Sequence, residues 1–138
     1  MKLTISLAQR GVLWAVMLFT AAPALAFADV YVIVYPGLNL TADDIKNIYT
    51  GEKELAESTK IRPQDNSSAR EEFLKKVLQL DAAKYESLWT KKSFRDGINP
   101  PTVRASDAEV IAYVKSNPGA IGYVTTAPPG DVTVLKKF

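Results

Sequence analysis

Two hydrophobic periods alternate along this chain, and that alternation restricts its architecture more than any other feature. Asp29–Tyr35 reads DVYVIVY, a short run of Val, Ile and Tyr stopped by Pro36-Gly37, which predicts a buried strand. Thr41-Ala42-Asp43-Asp44 follows, with Thr41 placed to cap a helix and two carboxylates in its positive first turn. Ile45, Ile48 and Tyr49 supply that helix's apolar face, and Gly51 ends it. A short strand is expected around Lys60 to Arg62. Phe73, Leu74, Val77 and Leu78 then recur at helical spacing, and Asp81 begins a further helix with Tyr85, Leu88 and Trp89 on one side. Ser93 to Thr102 contains Asp96-Gly97 and Pro100-Pro101 and reads as a loop, whose Arg95 and Asp96 are either the rim of a site or a solvated turn. Ser106 and Glu109 form a capping box ahead of Val110, Ile111 and Val114. Asn117-Pro118-Gly119 ends that helix, and AIGYV (Ala120 to Val124) and VTVL (Val132 to Leu135) are strands on either side of Pro128-Pro129-Gly130. Strands separated by helices require an α/β fold, a mostly parallel sheet flanked by helices. The last two strands are close in sequence and are expected to pair antiparallel at one edge.

The first 26 residues carry Lys2 and Arg10, the apolar run Gly11 to Ala22, and the small-residue ending Ala24-Leu25-Ala26. This is the pattern of a secretory signal peptide, with cleavage expected after Ala26 or Ala28. The apolar run is shorter than the roughly 20 residues of a membrane-spanning helix, and no second such run follows. Residues 27–138 then form one exported domain of 112 residues (138 less 26). Lys2 and Arg10 leave with the leader, so 15 basic residues face 15 acidic ones and the domain is close to neutral. That balance gives no support to nucleic-acid binding or to an anionic membrane partner. The absence of Cys excludes disulfides and a cysteine-linked lipid anchor; the absence of His removes the commonest general base and most zinc sites. Neither an enzyme, a metal site nor a cofactor is expected.

QDNSSAREEF, Gln64 to Phe73, admits two readings. Ser67 or Ser68 can cap a helix, with Ser68 and Glu71 forming a capping box. The same free N–H groups can also hold an oxyanion. Arg70 shares a helical stripe with Leu74 and Val77, so it is either a snorkelling or ion-paired side chain beside Asp65, or a bidentate oxyanion clamp. Glu71 and Glu72 oppose an anion unless they face outward, as the period predicts. Tyr85 and Trp89 read as core.

Taken in order, LTADDIKNIYTGEKE, RPQDNSSAREEF and SDAEVIAYVKSNPGAIGYV resemble the periplasmic phosphate-binding proteins of ABC transporters and their shorter relatives. The family's N-P-G-A-I-G-Y-V signature is matched letter for letter at Asn117 to Val124, and its F-x-G-K-like turn corresponds to Ile48-Tyr49-Thr50-Gly51-Glu52-Lys53. The resemblance spans nearly all of residues 27–138 but only one of the family's two lobes, and it implies a single lobe of a type 2 periplasmic binding protein-like fold. It further implies a periplasmic phosphate or oxyanion site at Asp65, Ser67, Ser68 and Arg70. The family's Gly falls on Ser68, its Thr on Ala69 and its upstream Arg on Pro63, beside Arg62, so weak binding is expected. The alternative is a protein-interaction domain that keeps the lobe. A transporter, a sensor or a second copy of the chain would then be the partner.

Overall fold

The computed structural model describes residues 28–138; the leader expected at residues 1–26 lies outside the described residues. Strand β1 (Tyr31–Val34) is followed by α1 (Asp44–Tyr49), a small hairpin of β2 (Leu55–Ala56) and β3 (Thr59–Lys60), and β4 (Arg62–Asn66). Helix α2 (Arg70–Phe73) runs into one π-helical turn, Leu74–Leu78, before α3 (Ala82–Asp96), β5 (Thr102–Arg104), α4 (Asp107–Ser116), β6 (Ala120–Val124) and β7 (Thr133–Lys137).

The five-stranded sheet has the order β5-β4-β6-β1-β7. β4 pairs parallel with both β5 and β6, whereas β1 pairs antiparallel with β6 and with β7. Four of the five strands therefore point one way and β1 alone runs against them, which is the mostly parallel sheet expected. The expected hairpin of the last two strands does not form. β1 lies between them, and residues 125–132 carry the chain over it, so proximity in sequence is overridden by the pairing available to a central strand.

Period-two alternation explains how both faces of the sheet are filled. Val32 and Val34 of β1, with Ile121 and Tyr123 of β6, pack into a core shared with Ile45, Ile48 and Tyr49 of α1, Phe73, Leu74 and Leu78, and Tyr85 and Trp89 of α3. Ile33, Ala120 and Val124 face the other way, against Val110 and Val114 of α4 and Val132. All five residues of β6 are buried as a result. The signature glycines have distinct causes. Gly119 has φ +86° and a Cβ there would meet the Lys60 carbonyl oxygen at 2.2 Å; a Cβ on Gly122 would meet Val110 Cγ1 at 2.5 Å. The first glycine permits the turn and the second lets α4 lie against the sheet.

Most helix ends follow the sequence. Asp81 accepts the Lys84 N–H at 2.8 Å and Ser106 accepts that of Glu109 at 3.3 Å, while Glu109 accepts the Ala105 N–H at 2.9 Å. At α1 the roles are reversed: Asp44 accepts from both the N–H and the hydroxyl of Thr41. The expected loop at Ser93 to Thr102 shrinks to residues 97–101, because α3 continues through Asp96 to Gly97, left-handed at φ +68°. Trp89 is core as expected, donating its indole N–H to the Tyr49 carbonyl at 3.0 Å.

Candidate oxyanion site

Strand β4 ends in three buried polar residues, Gln64, Asp65 and Asn66. Burial of polar groups is costly unless each finds a partner, and here each does. Asp65 accepts from Tyr123 Oη at 2.6 Å and from Tyr85 Oη at 2.9 Å, one hydroxyl on each carboxylate oxygen. Its pKa is raised above the usual aspartate value: burial dominates, while the two hydroxyls and the nearby Arg70 charge pull the other way. Both phenols are pushed up, chiefly by burial and then by the Asp65 charge. Phe73 stacks on Tyr123 at 3.8 Å and packs edge-on to Tyr49 at 4.7 Å, so the carboxylate sits against an aromatic wall. Gln64 accepts from Arg104 Nε at 2.8 Å.

The turn leaving β4 is organised by Asn66. Its Oδ1 accepts from the N–H of Ser68 at 3.1 Å and from the Ser68 hydroxyl at 2.7 Å, and its backbone carbonyl accepts the Ala69 N–H. The Ser68–Glu71 capping box is therefore absent; α2 starts at Arg70 from Ala69, with no side-chain cap. Asn66 captures the hydroxyl because its own amide is fixed, donating to the Tyr123 carbonyl at 3.0 Å and to Asp107 at 2.7 Å. Ser67 points elsewhere, its hydroxyl within reach of the Arg104 and Ala105 carbonyls at 3.2 and 3.3 Å.

Arg70 lies over the Tyr85 ring, 5.2 Å from its centroid. Its Nε is buried and finds no acceptor among the described residues. Together with Ser67, Leu74, Lys75 and Leu80 it lines a groove of about 620 Å³, which Glu71 and Asp81 also border. Of the four expected site residues, the structure thus brings Ser67 and Arg70 to one groove, places Asp65 beneath it within electrostatic reach of Arg70, and turns Ser68 toward Asn66. Glu71 is exposed as expected. Glu72 is not: it is half-buried, lying toward Lys76, whose Nζ is 3.9 Å away in an i,i+4 pair. Arg95 and Asp96 lie at the end of α3 away from Ala82, which borders this groove, so they do not rim it. Sequence reasoning missed Asn66 and Asp107. Asp107 stood in S-D-A-E, where the capping box accounted for Ser106 and Glu109 and left its carboxylate without a role. Among the described residues no cluster of three or more His, Cys, Asp or Glu could hold a metal, and no helix is long and apolar enough to cross a membrane.

A sheet with one reversed strand, covered on both faces by helices and carrying polar groups at the carboxyl ends of its parallel strands, is the architecture of a binding-protein lobe. The chain belongs to the PBP superfamily domain family, whose model matches residues 14–136. Among solved structures it is similar to a phosphate ABC transporter substrate-binding protein from Clostridium perfringens with bound phosphate, at 20% identity and a TM-score of 0.59 over 80% of this chain and 46% of that one. An ABC-type phosphate transport receptor from Vibrio cholerae matches at 16% identity and a TM-score of 0.47, over 80% of this chain and 47% of that one. The chain therefore spans less than half the length of these relatives, as a single lobe does. No curated protein matches it significantly.

Proposed function

We propose that this chain is an exported, periplasmic domain that binds a phosphate-class oxyanion weakly, and that it is not an enzyme. One observation carries the reading: Arg70 is a half-buried guanidinium whose Nε has no acceptor, in a groove that also exposes Ser67. A buried donor without an acceptor costs stability, and in this reading the guanidinium turns toward an oxyanion in the groove and makes charge-assisted bonds to it. In this reading Arg70 is the clamp, Ser67 and Ser68 supply hydroxyls, and Asp65 orients Arg70 through its charge. Its two oxygens are already held by tyrosines, which disfavours a direct bond from Asp65 to the ligand. Each serine must exchange an internal hydrogen bond for one to the ligand. The dissociation constant is expected between micromolar and millimolar, about 8 to 4 kcal/mol. Titration with phosphate and with sulfate, followed at the amides of Ser67 to Arg70 by NMR, tests this. Saturable shifts that vanish in Arg70→Ala support it; no shift at tens of millimolar (roughly tenfold above the weakest expected constant) refutes it.

A second reading, an interaction domain that binds a transporter, a sensor or a second copy of the chain, is favoured by Phe94. This residue is 94% exposed on α3 beside a groove bordered by Trp89 and Pro100. A single exposed apolar side chain is ordinary on a protein surface, so what favours a contact here is its continuity with the groove lined by Trp89 and Pro100. Light scattering across concentration, compared with Phe94→Ser, tests it: concentration-dependent mass lost in the variant supports self-association.

A further inference from the structure

The outer surface of α3 is segregated by charge. Lys84, Leu88, Lys91 and Arg95 follow one another at helical intervals, which lays them along one line of the helix. The three cations are exposed and none takes part in an ion pair among the described residues, whereas neighbouring Lys92 is held by Glu52 at 2.9 Å. Phe94 stands on the adjoining side of the helix, beside Trp89 and Pro100. The acids nearest this surface are Glu86, on the Phe94 side, and Asp96, at the helix end. The hairpin of β2 and β3 carries the opposite chemistry. Glu54 and Glu57 are exposed on it, Leu55 between them is 55% exposed, and Lys60 is the one exposed cation of residues 54–60. Glu57 is held in place by Asn39, whose amide donates to its carboxylate at 3.0 Å. The two elements adjoin. Glu54 and Lys60 share a groove of about 510 Å³ with Trp89 and Asp96 of α3 and with Pro100, and Trp89 and Pro100 also border Phe94.

We propose that this face docks a second copy of the chain about a two-fold axis, the acidic hairpin of each copy seated on the basic line of α3 of the other and Leu55 set against Phe94. The proposal rests on the interaction-domain reading and gives it a partner and a surface. Pairing of α3 with α3 is disfavoured, because it sets like cations against each other. The hairpin supplies both things the helix face lacks, carboxylates and a free aliphatic side chain. A two-fold interface needs one patch that holds both halves of its own complement, so that each half meets the other twice. Adjacency of the hairpin and α3 meets that requirement. Burial of Leu55 and Phe94 drives the contact, and the charges select which elements face each other.

Sedimentation equilibrium measures the association. The unaltered chain forms a dimer that weakens as sodium chloride is raised. Two sets of charge reversals then test the pairing: Lys84→Glu with Lys91→Glu in one chain, and Glu54→Lys with Glu57→Lys in another. Each set places like charges across both contacts, so each reversed chain alone associates about tenfold more weakly or less. An equimolar mixture of the two regains the dimer, because every hairpin then faces a helix of opposite charge. All four positions are exposed, and Glu54→Lys alone serves in place of the hairpin pair should loss of the Asn39 bond disturb the turn. Recovery in the mixture supports the proposal. A parent chain still monomeric at about 1 mM in low salt overturns it, as does a mixture no stronger than its components. Binding of a monomeric parent to vesicles of anionic phospholipid, lost in the Lys84→Glu, Lys91→Glu chain, also overturns it and assigns the basic line to a membrane surface. Phe94→Ser separates the proposal from the reading beneath it. Association lost in that variant but unchanged by either reversal overturns the hairpin pairing and leaves Phe94 a contact for another surface.

Discussion

Asp65 and Asp107 lie about 40 positions apart in sequence and respond to acid in opposite senses. The folded state raises the Asp65 pKa, so between the unfolded value near 3.8 and the higher folded value the native chain holds a proton that the unfolded chain has lost. Stability from this residue therefore falls as pH rises through that window. Asp65→Asn removes the slope, and the difference in thermal midpoint between variant and parent should grow in the variant's favour as pH rises across it. Asp107, whose pKa is lowered, contributes stability above the unfolded value that is lost as pH falls through the folded one, so Asp107→Asn flattens the opposite limb. The tyrosine bonds can be read directly. Tyr123→Phe strands one oxygen of a buried carboxylate and should cost about 1–3 kcal/mol in chemical unfolding. The same change in an Asp65→Asn background should cost less, because the two residues share one interaction. None of this was visible in the sequence: Asp65 and its neighbours look like loop residues, and only the fold brings Tyr85 and Tyr123 to them.

At the level of elements, caps were legible and hydroxyl partners were not. The S-x-x-E pattern occurs twice. At Ser106 nothing nearby competes and the cap forms; at Ser68 the side chain of Asn66 is closer and already fixed, so the hydroxyl bonds there instead. Ser106→Ala and Asp81→Ala should each cost about 1 kcal/mol through the loss of an N-cap, measured by urea unfolding. The signature at Asn117 to Val124 is legible as close packing. Gly122→Ala should cost about 1–3 kcal/mol, since a Cβ there meets the fully buried Val110 side chain at 2.5 Å, and Val110→Ala in the same chain should recover part of that loss by vacating the contact. Short pieces escaped the reading. β5 has three residues and β2 and β3 two each, lengths at which alternation carries no signal. The strand expected around Lys60 to Arg62 falls instead across the end of β3 and the start of β4, and the rest of β4, through Asn66, was hidden because its residues are polar.

For the whole molecule, the alternation of strand and helix signals was enough for an α/β fold with helices on both faces, and resemblance supplied the single lobe. The order of the strands was beyond it, because pairing of β1 with both β6 and β7 joins residues about a hundred positions apart. The candidate site was half legible: Ser67 and Arg70 do meet at a groove, while the bonds that tie Asp107 to Asn66, Thr125 and Thr126 join three segments that no local pattern links. Contacts so distant in sequence slow folding, and refolding followed by Trp89 fluorescence should fall on the order of milliseconds to seconds. The placement of β1 has a consequence for a chain made from its amino end. This interior strand leaves the ribosome before the other strands described, and both of its neighbours follow only after all the rest. Until residues 120–137 arrive, β1 has no partner on either side, a bare apolar segment open to other chains. A nascent polypeptide of this kind stays unfolded until it is nearly complete, and depends throughout that interval on whatever shields Val30 to Val34.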